Sequence, residues 1–276
     1  SPSAIADRAF YQQLYDDHPY SSMPIGTEAS IDEISIADLQ QFYQQFYVAN
    51  NAVLVIVGDV DIKQAKALSE KISGSLPAGK KAAALPEVEP LETAQQKNLP
   101  YPSSQTTILM GQPGLTRDDP DFFPLYVGNH VLGGSGLVSI ISDEIREKRG
   151  LSYSAYSYFR PMREAGPYQF GLQTRNDQAE LALDVLNQTL VDFVEQGPTK
   201  EQLTAAQKNI TGGFALRLDS NSKIADYLAM MGFYQLPLDH LETFNSRVNA
   251  VTVDQIKAAY QKRIHPQKMV TILVGG

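Results

Sequence analysis

Residues 34–58, ISIADLQQFYQQFYVANNAVLVIVG, align without a gap with residues 251–275, VTVDQIKAAYQKRIHPQKMVTILVG, at an offset of 217 residues. Identical residues stand at five aligned positions: Tyr43 and Tyr260, Gln44 and Gln261, Val53 and Val270, Val57 and Val274, and Gly58 and Gly275. Ser35 and Thr252 can each cap a helix, and a capping-box partner follows three residues later in both stretches. Each helix is predicted to lead into a β-branched strand that ends at glycine. The pair indicates an internal repeat; the alternative is a chance likeness of two common helix–strand units.

The repeat predicts how the chain is divided into domains. If one unit spans about 217 residues and ends at its glycine, residues 59–275 are a complete unit and residues 1–58 are the last quarter of another. Five prolines and an Ala/Glu/Lys-rich stretch in residues 77–102 are typical of an inter-domain linker. We therefore predict that residues 1–76 are the C-terminal part of a first domain and residues 103–276 a complete second domain. Roughly 160 residues of the first domain are then expected upstream.

The order of predicted elements indicates an α+β fold. Alternation of side chains predicts strands at 151–159 and 167–174, joined as a hairpin. Further strands are predicted at 105–111 and 269–274, and helices at 62–75, 120–132, 137–149, 178–195, 199–217, 222–234 and 252–264. We expect tandem homologous domains, each a mostly antiparallel sheet covered by helices, with the first domain incomplete.

Composition excludes several classes of protein. The net charge of −8, from 23 basic and 31 acidic residues, argues against a nucleic-acid partner. The absence of cysteine excludes disulfides, thiolate metal sites and a cysteine nucleophile. No apolar run reaches the ~18–20 residues of a membrane span. The opening SPSAIADRAF has no methionine and no hydrophobic signal segment, as expected of a processed or truncated chain. The absence of cysteine and the acidic charge suit a bacterial protein of either the periplasm or the cytoplasm.

None of the four histidines stands in a zinc-binding motif. His18, His130, His240 and His265 form neither HExxH nor HxxEH, so no metal ligand and no catalytic residue is assigned to this chain alone. The glycine-rich stretch 133–136 follows a predicted helix rather than a strand. That order favours a flexible connection between helices over a phosphate-binding loop.

Arg146 and Tyr153 form the pair with the most chemical content. Arg146 is predicted on the last turn of a helix and Tyr153 early in the next strand, and a reversal at Gly150 can bring the two side chains together. A permanent cation beside a phenolic hydroxyl suits the binding of peptide carbonyls or of an oxyanion. The structural alternative is that Arg146 complements the helix dipole and Tyr153 packs beside its neighbours.

Two segments resemble a known family. GLVSIISDEIREKRGLSYSAYSYF (136–159) is similar to the Arg/Tyr segment of the pitrilysin/insulinase family of zinc metallopeptidases, the HxxEH inverzincins, which includes mitochondrial processing peptidase. HPYSSMPIGTEASIDEISIADLQQFYQQFYVANNAVLVIVGDVD (18–61) resembles the stretch that closes that family's first domain. The spacing from Arg146 to Tyr153 is the most specific element, and the family's tandem α+β domains agree with the repeat.

The resemblance implies roles for four residues. Arg146 and Tyr153 match a pair that contacts substrate in the family's second domain, and Gly133 and Gly134 match, more loosely, a glycine-rich segment that handles substrate in some members. Zinc is then expected in the missing first-domain region or in an HxxEH-bearing partner subunit, as in a heterodimer. The implied function is the substrate-binding, non-zinc portion of an endopeptidase that hydrolyses peptides or unfolded segments.

Two other functions stay open at this point. A catalytically inactive family member would act as a scaffold or binding subunit, which the presence of both Arg146 and Tyr153 disfavours. An unrelated α+β ligand-binding domain would hold these two side chains apart.

Overall fold

Five strands form one sheet in the computed structural model, which describes residues 1–276. The strands are β1 (Gln95–Pro100), β2 (Gln105–Pro113), β3 (Ala155–Phe159), β4 (Pro167–Arg175) and β5 (Val270–Gly275). They lie side by side in the order β1-β5-β2-β4-β3, with β1 and β5 parallel and every other neighbouring pair antiparallel. The predicted mostly antiparallel sheet is confirmed, and so is its β3–β4 hairpin.

Eleven α-helical segments accompany the strands, four of them before β1 and five between β4 and β5. They are α1 (Pro2–Tyr15), α2 (Glu28–Asp32), α3 (Ile36–Phe46), α4 (Ile62–Ser73), α5 (Phe122–Asn129), α6 (Ile140–Ser142), α7 (Ala179–Gln196), α8 (Lys200–Phe214), α9 (Asn221–Tyr234), α10 (His240–Ala250) and α11 (Val253–Arg263). The α+β class is therefore confirmed. The predicted continuous helix 137–149 is wrong in detail, because a 3₁₀ turn, the single turn α6 and a π-helical turn succeed one another there.

Contacts between Cα atoms divide the chain into two compact units. The sheet unit consists of residues 1–23, 86–211 and 244–276, and the helical unit consists of residues 24–85 and 212–243. The sequence-based division into a first domain, a linker and a second domain stays a prediction. Strand β1 nevertheless lies inside the predicted linker, where it pairs with β5 along its whole length.

Helix α1 packs on one face of the sheet and is not among the predicted elements. Ser1 caps its first turn, and Ala6, Phe10 and Leu14 are buried in a cluster with sheet residues that include Leu109. Their helical spacing is the signal in the sequence that indicates this element. Because α1 covers β2 and β5, its N-terminal half forms a wall above the sheet.

The opposite face of the sheet is also buried. Ile108 and Met110 flank Leu109 in β2, so they point away from α1, and both are buried. Helix α7 contacts β2 and β4, and α11 packs against α5 and α7. The predicted capping box at Thr252 is present, and it starts a helix whose Tyr260 side chain is fully buried.

Two asparagines that follow α3 bind the stretch after α4 in the helical unit. Asn50 donates its side-chain amide to the Gly79 carbonyl at 2.8 Å, and the Asn51 side chain accepts from the backbone of Ala82 at 2.7 Å. Val48 is buried beside Gly79, which has a φ of 61° and no room for a Cβ. These contacts fix the Pro-rich stretch after α4 against the end of α3.

The strand predicted at the end of the first repeat stretch is wrong. Residues 53–57 form no ladder, although the aligned residues 270–274 form β5. A strand needs a hydrogen-bonded neighbour, and no strand of the chain lies beside residues 53–57. Val53 contacts α9 at Gly232 instead.

Candidate functional site

The reversal predicted at Gly150 is present. A π-helical turn spans Asp143–Glu147, and Gly150 has a φ of 62°, in the left-handed region that favours glycine. The Gly150 amide donates to the Arg146 carbonyl and the Leu151 amide to the Ile145 carbonyl, both at 2.9 Å. These bonds satisfy carbonyls at the helix end and turn the chain toward β3.

Arg146 lies on this last turn and is partly exposed. Its guanidinium forms an ion pair with the neighbouring Glu147 at 3.3 Å. Two other cations of the turn, Lys148 and Arg149, bind Glu144 at 2.5 and 2.6 Å, and the hydrogen bond from Lys148 is the main cause that lowers the pKa of Glu144. Among the cations of this turn, Arg146 is therefore the one held only by an adjacent, exposed carboxylate.

Tyr153 extends into solvent, with 89% of its surface exposed. It lies in the loop before β3 rather than early in the strand, because Ser152 and Ser154 form a local turn in which the Ser152 hydroxyl bonds the Ser154 backbone. No hydrogen bond joins Tyr153 to Arg146. The structure therefore has no direct bond between the two side chains, and their joint role in binding substrate stays a prediction.

Tyr153 borders a polar cleft of about 340 Å³ on the α1 face of the sheet. Helix α1, strands β2, β3 and β4 and the loop before β3 supply its lining: Ser3, Asp7, Gln105, Thr107, Leu109, Ser152, Tyr153, Ser154, Tyr156, Leu172 and Gln173. The Gln173 amide donates to the Ser3 hydroxyl at 3.2 Å and to the Thr107 hydroxyl at 3.3 Å. This bridge ties the first turn of α1 to the floor of the cleft.

Asp7 is the only charged side chain that lines the cleft. Burial raises the pKa of its carboxyl group, and no hydrogen bond or ion pair within the chain satisfies that group. Burial likewise raises the pKa of Tyr156, and that of Tyr158 to about 12. Neither Asp7 nor Tyr156 could be predicted as a site residue from the sequence, because that prediction requires knowing that α1 covers this sheet.

Gly133 and Gly134 are outside the lining of this cleft, and Gly133 stands at a close approach of a helix to β3. A Cβ on Gly133 would lie 2.6 Å from the Ser157 backbone nitrogen, and one on Gly134 would lie 2.8 Å from the Asn129 side-chain nitrogen. Asn129 in turn donates to the Ser157 carbonyl at 3.1 Å and accepts from its hydroxyl at 2.7 Å. Gly133 therefore has a packing role against β3, whereas Gly134 is exposed and faces only Asn129, and the substrate role stays a prediction for both.

The residues of this chain do not fit a zinc ion. No group of three or more His, Cys, Asp or Glu side chains is arranged to hold a metal. The two ring nitrogens of His18 are already engaged, Nδ1 accepting from the Tyr20 amide and Nε2 bonding the Pro86 carbonyl, both at 3.0 Å.

No helix combines the length and the apolar character that crossing a bilayer requires.

Comparison with known proteins gives a consistent family. A profile described as "Peptidase M16 inactive domain" matches residues 33–210. An uncharacterized zinc protease of Streptomyces coelicolor is 26% identical over 264 residues, which cover 93% of this chain and 57% of that protein. The non-peptidase homolog YmxG of Helicobacter pylori is 27% identical over 256 residues, covering 91% of this chain and 58% of that protein. The chain thus spans about three fifths of the length of these relatives.

Solved structures agree with the fold. The crystal structure of a peptidase M16 inactive domain from Pseudomonas fluorescens superposes with a TM-score of 0.95 at 36% identity, covering 100% of this chain and 66% of that one. A protease from Helicobacter pylori superposes with a TM-score of 0.90 at 20% identity, covering 99% of this chain and 67% of that one, which supports the fold alone. The resemblance found in the sequence is confirmed by these matches.

Proposed function

The chain belongs to the peptidase M16 family, the pitrilysin/insulinase metallopeptidases, as the part described as the inactive domain, and we propose that it is the substrate-binding, non-zinc portion of an M16 endopeptidase. Its substrates would be peptides or unfolded segments. Zinc and its HxxEH ligands would be supplied by an upstream domain of the same protein or by a partner subunit. In the absence of the zinc-bearing part, neither Arg146 nor Tyr153 has a catalytic role.

The observation that carries this proposal is the position of Tyr153. A large side chain that is 89% exposed contributes little to folding stability. Because Tyr153 stands beside a polar cleft, it can instead contact an extended ligand. Arg146, four residues before the reversal, has an exposed Glu147 as its ion-pair partner. Such surface pairs contribute little stability, so a peptide carbonyl or an oxyanion can replace the carboxylate at small cost.

The two repeat stretches support the presence of a zinc-bearing domain or subunit. Tyr260 is 0% exposed and its aligned residue Tyr43 is 58% exposed; the aligned pair Ile256 and Leu39 is 0% and 59% exposed. Sequence that is buried in α11, which packs against α5 and α7, thus recurs in α3 without a cover. We propose that the zinc-bearing domain or partner covers the apolar face of α3.

The proposal is tested by reconstitution. Mixed with an HxxEH-bearing M16 chain, or expressed with the upstream region of its own gene, the protein should give zinc-dependent cleavage of a quenched-fluorescent peptide. Arg146→Ala combined with Tyr153→Phe should then remove about 3 kcal/mol of transition-state stabilisation, which lowers kcat/KM on the order of a hundredfold. Arg149→Ala is the matched control, because it removes a nearby cation that is already bound to Glu144. Unchanged turnover in the double variant contradicts the proposal.

A scaffold role is the second candidate. It is favoured by the relative named a non-peptidase homolog and by the absence of a hydrogen bond between Arg146 and Tyr153. In the same reconstitution a scaffold would form a complex without any gain in peptide cleavage, so the two candidates give opposite results.

A further inference from the structure

We propose that the cleft beside Tyr153 is a subsite for the side chain of a lysine or arginine in an extended peptide, with Asp7 as the group that binds its charge. This inference rests on the proposed function, since it assigns a substrate class to the same surface.

The charge of the cleft is unbalanced. Asp7 is the only ionisable carboxylate or cation in the lining, and it has no partner within the chain. A partly buried carboxylate loses part of its hydration, and a cationic ligand compensates for that loss by forming a charge-assisted hydrogen bond. Burial raises the pKa of Asp7, as expected of a carboxylate that lacks such a partner.

The aromatic side of the cleft also favours a cation. The ring of Tyr156 lies across β4 at Gly171, where a Cβ would be 2.5 Å from the ring. Tyr158, which does not line the cleft and lies near Arg160, stacks on Tyr156 with a centroid separation of 5.9 Å and an interplanar angle of 17°. Rings of this kind attract ammonium and guanidinium groups placed over their faces. Gly171 therefore makes room for an aromatic wall on the same face as Asp7.

The remaining lining suits the stem of a long basic side chain. Leu109 and the Tyr156 ring offer apolar surface to methylene groups, as the stems of lysine and arginine require. Hydroxyl groups of Ser3, Thr107 and Ser154 lie at the same cleft and can accept further donors of the charged head. A volume of about 340 Å³ lies at the lower end of the range of small-ligand sites.

The test uses two N-acetylated peptides that differ only in a central lysine or norleucine, with binding measured by isothermal titration calorimetry. The protein should bind the lysine peptide about tenfold more tightly. Asp7→Asn should remove that difference. Asp184→Asn, an exposed carboxylate of α7 without a partner, is the matched control and should keep the difference. A norleucine peptide with a free N-terminus should gain nothing, which separates a side chain from an α-amino group.

The outcomes separate this inference from the proposed function. If both acetylated peptides bind equally, or if the difference survives in Asp7→Asn, the subsite is wrong while peptide binding stands. If neither peptide binds, the proposed function fails, and N-acetyl-lysinamide at millimolar concentration decides the subsite. Shifts of the amide resonances of Asp7 and Tyr156 with this probe, and none with N-acetyl-norleucinamide, support it, whereas the absence of shifts overturns it.

Discussion

For single residues, a crowded glycine and an open glycine test whether Gly133 is needed for packing or for substrate contact. Gly133→Ala places a Cβ 2.6 Å from the Ser157 backbone nitrogen, and should lower the free energy of unfolding by about 1–3 kcal/mol. Gly212, in α8, has no atom within 4 Å of an added Cβ, so Gly212→Ala should raise stability by roughly 0.5–1 kcal/mol. Urea denaturation measures both. A fully stable Gly133→Ala protein that no longer binds peptide would contradict the packing role.

Asp7 also predicts the pH dependence of folding. Its folded pKa is raised by burial, so its contribution to stability is fully present below the unfolded pKa and is lost as pH rises through the folded pKa. Asp7→Asn should remove this decline in stability, which occurs as pH rises just above the ordinary pKa range of aspartate. Asp38 gives the opposite sign, because its hydrogen bond with Ser35 lowers its pKa, and the stability it contributes is lost as pH falls. Denaturation curves of both Asn variants across acidic pH check the two signs.

At the scale of elements, the two capping boxes differ in what their helices bury. Thr252→Ala should cost about 1 kcal/mol of global stability, because α11 buries Ile256 and Tyr260 in the core of the sheet unit. Ser35→Ala removes an equivalent cap from α3, which has no buried residue, and should fray that helix locally. Hydrogen exchange distinguishes the two, since only Thr252→Ala should accelerate exchange in β5. Faster β5 exchange in Ser35→Ala would contradict the difference.

The same elements show which part of the fold the sequence could predict. Capping residues and alternation are local signals, so the starts of α3, α4 and α11 and the β3–β4 hairpin were predictable from residues within a few positions. Strand formation at 53–57 and at 95–100 depends on whether a neighbouring strand is present, and that information is not local. The candidate site could not be predicted from the sequence for the same reason, because Asp7 lies near Tyr156 only after α1 packs on a sheet formed by distant residues.

At the scale of the whole molecule, the uncovered face of α3 predicts association. Leu39→Asn combined with Phe42→Asn removes two apolar side chains that are 59% and 56% exposed. These changes should leave the unfolding of the sheet unit unchanged, because α3 contributes no buried residue. They should abolish complex formation with a zinc-bearing M16 domain, since loss of large apolar anchors at an interface removes much of its binding energy. Size-exclusion chromatography of the mixed chains measures this directly.

Leu238→Asn is the matched control for that experiment, because Leu238 is 96% exposed and lies outside α3. If exposed apolar surface of any kind drove association, this variant would weaken the complex as much as the α3 variant does. If the α3 face is the specific interface, the Leu238 variant should elute with its partner and retain peptide cleavage. A complex that survives the α3 changes intact would show that the repeat in the sequence has no counterpart in assembly, and the exposed face would then need another partner.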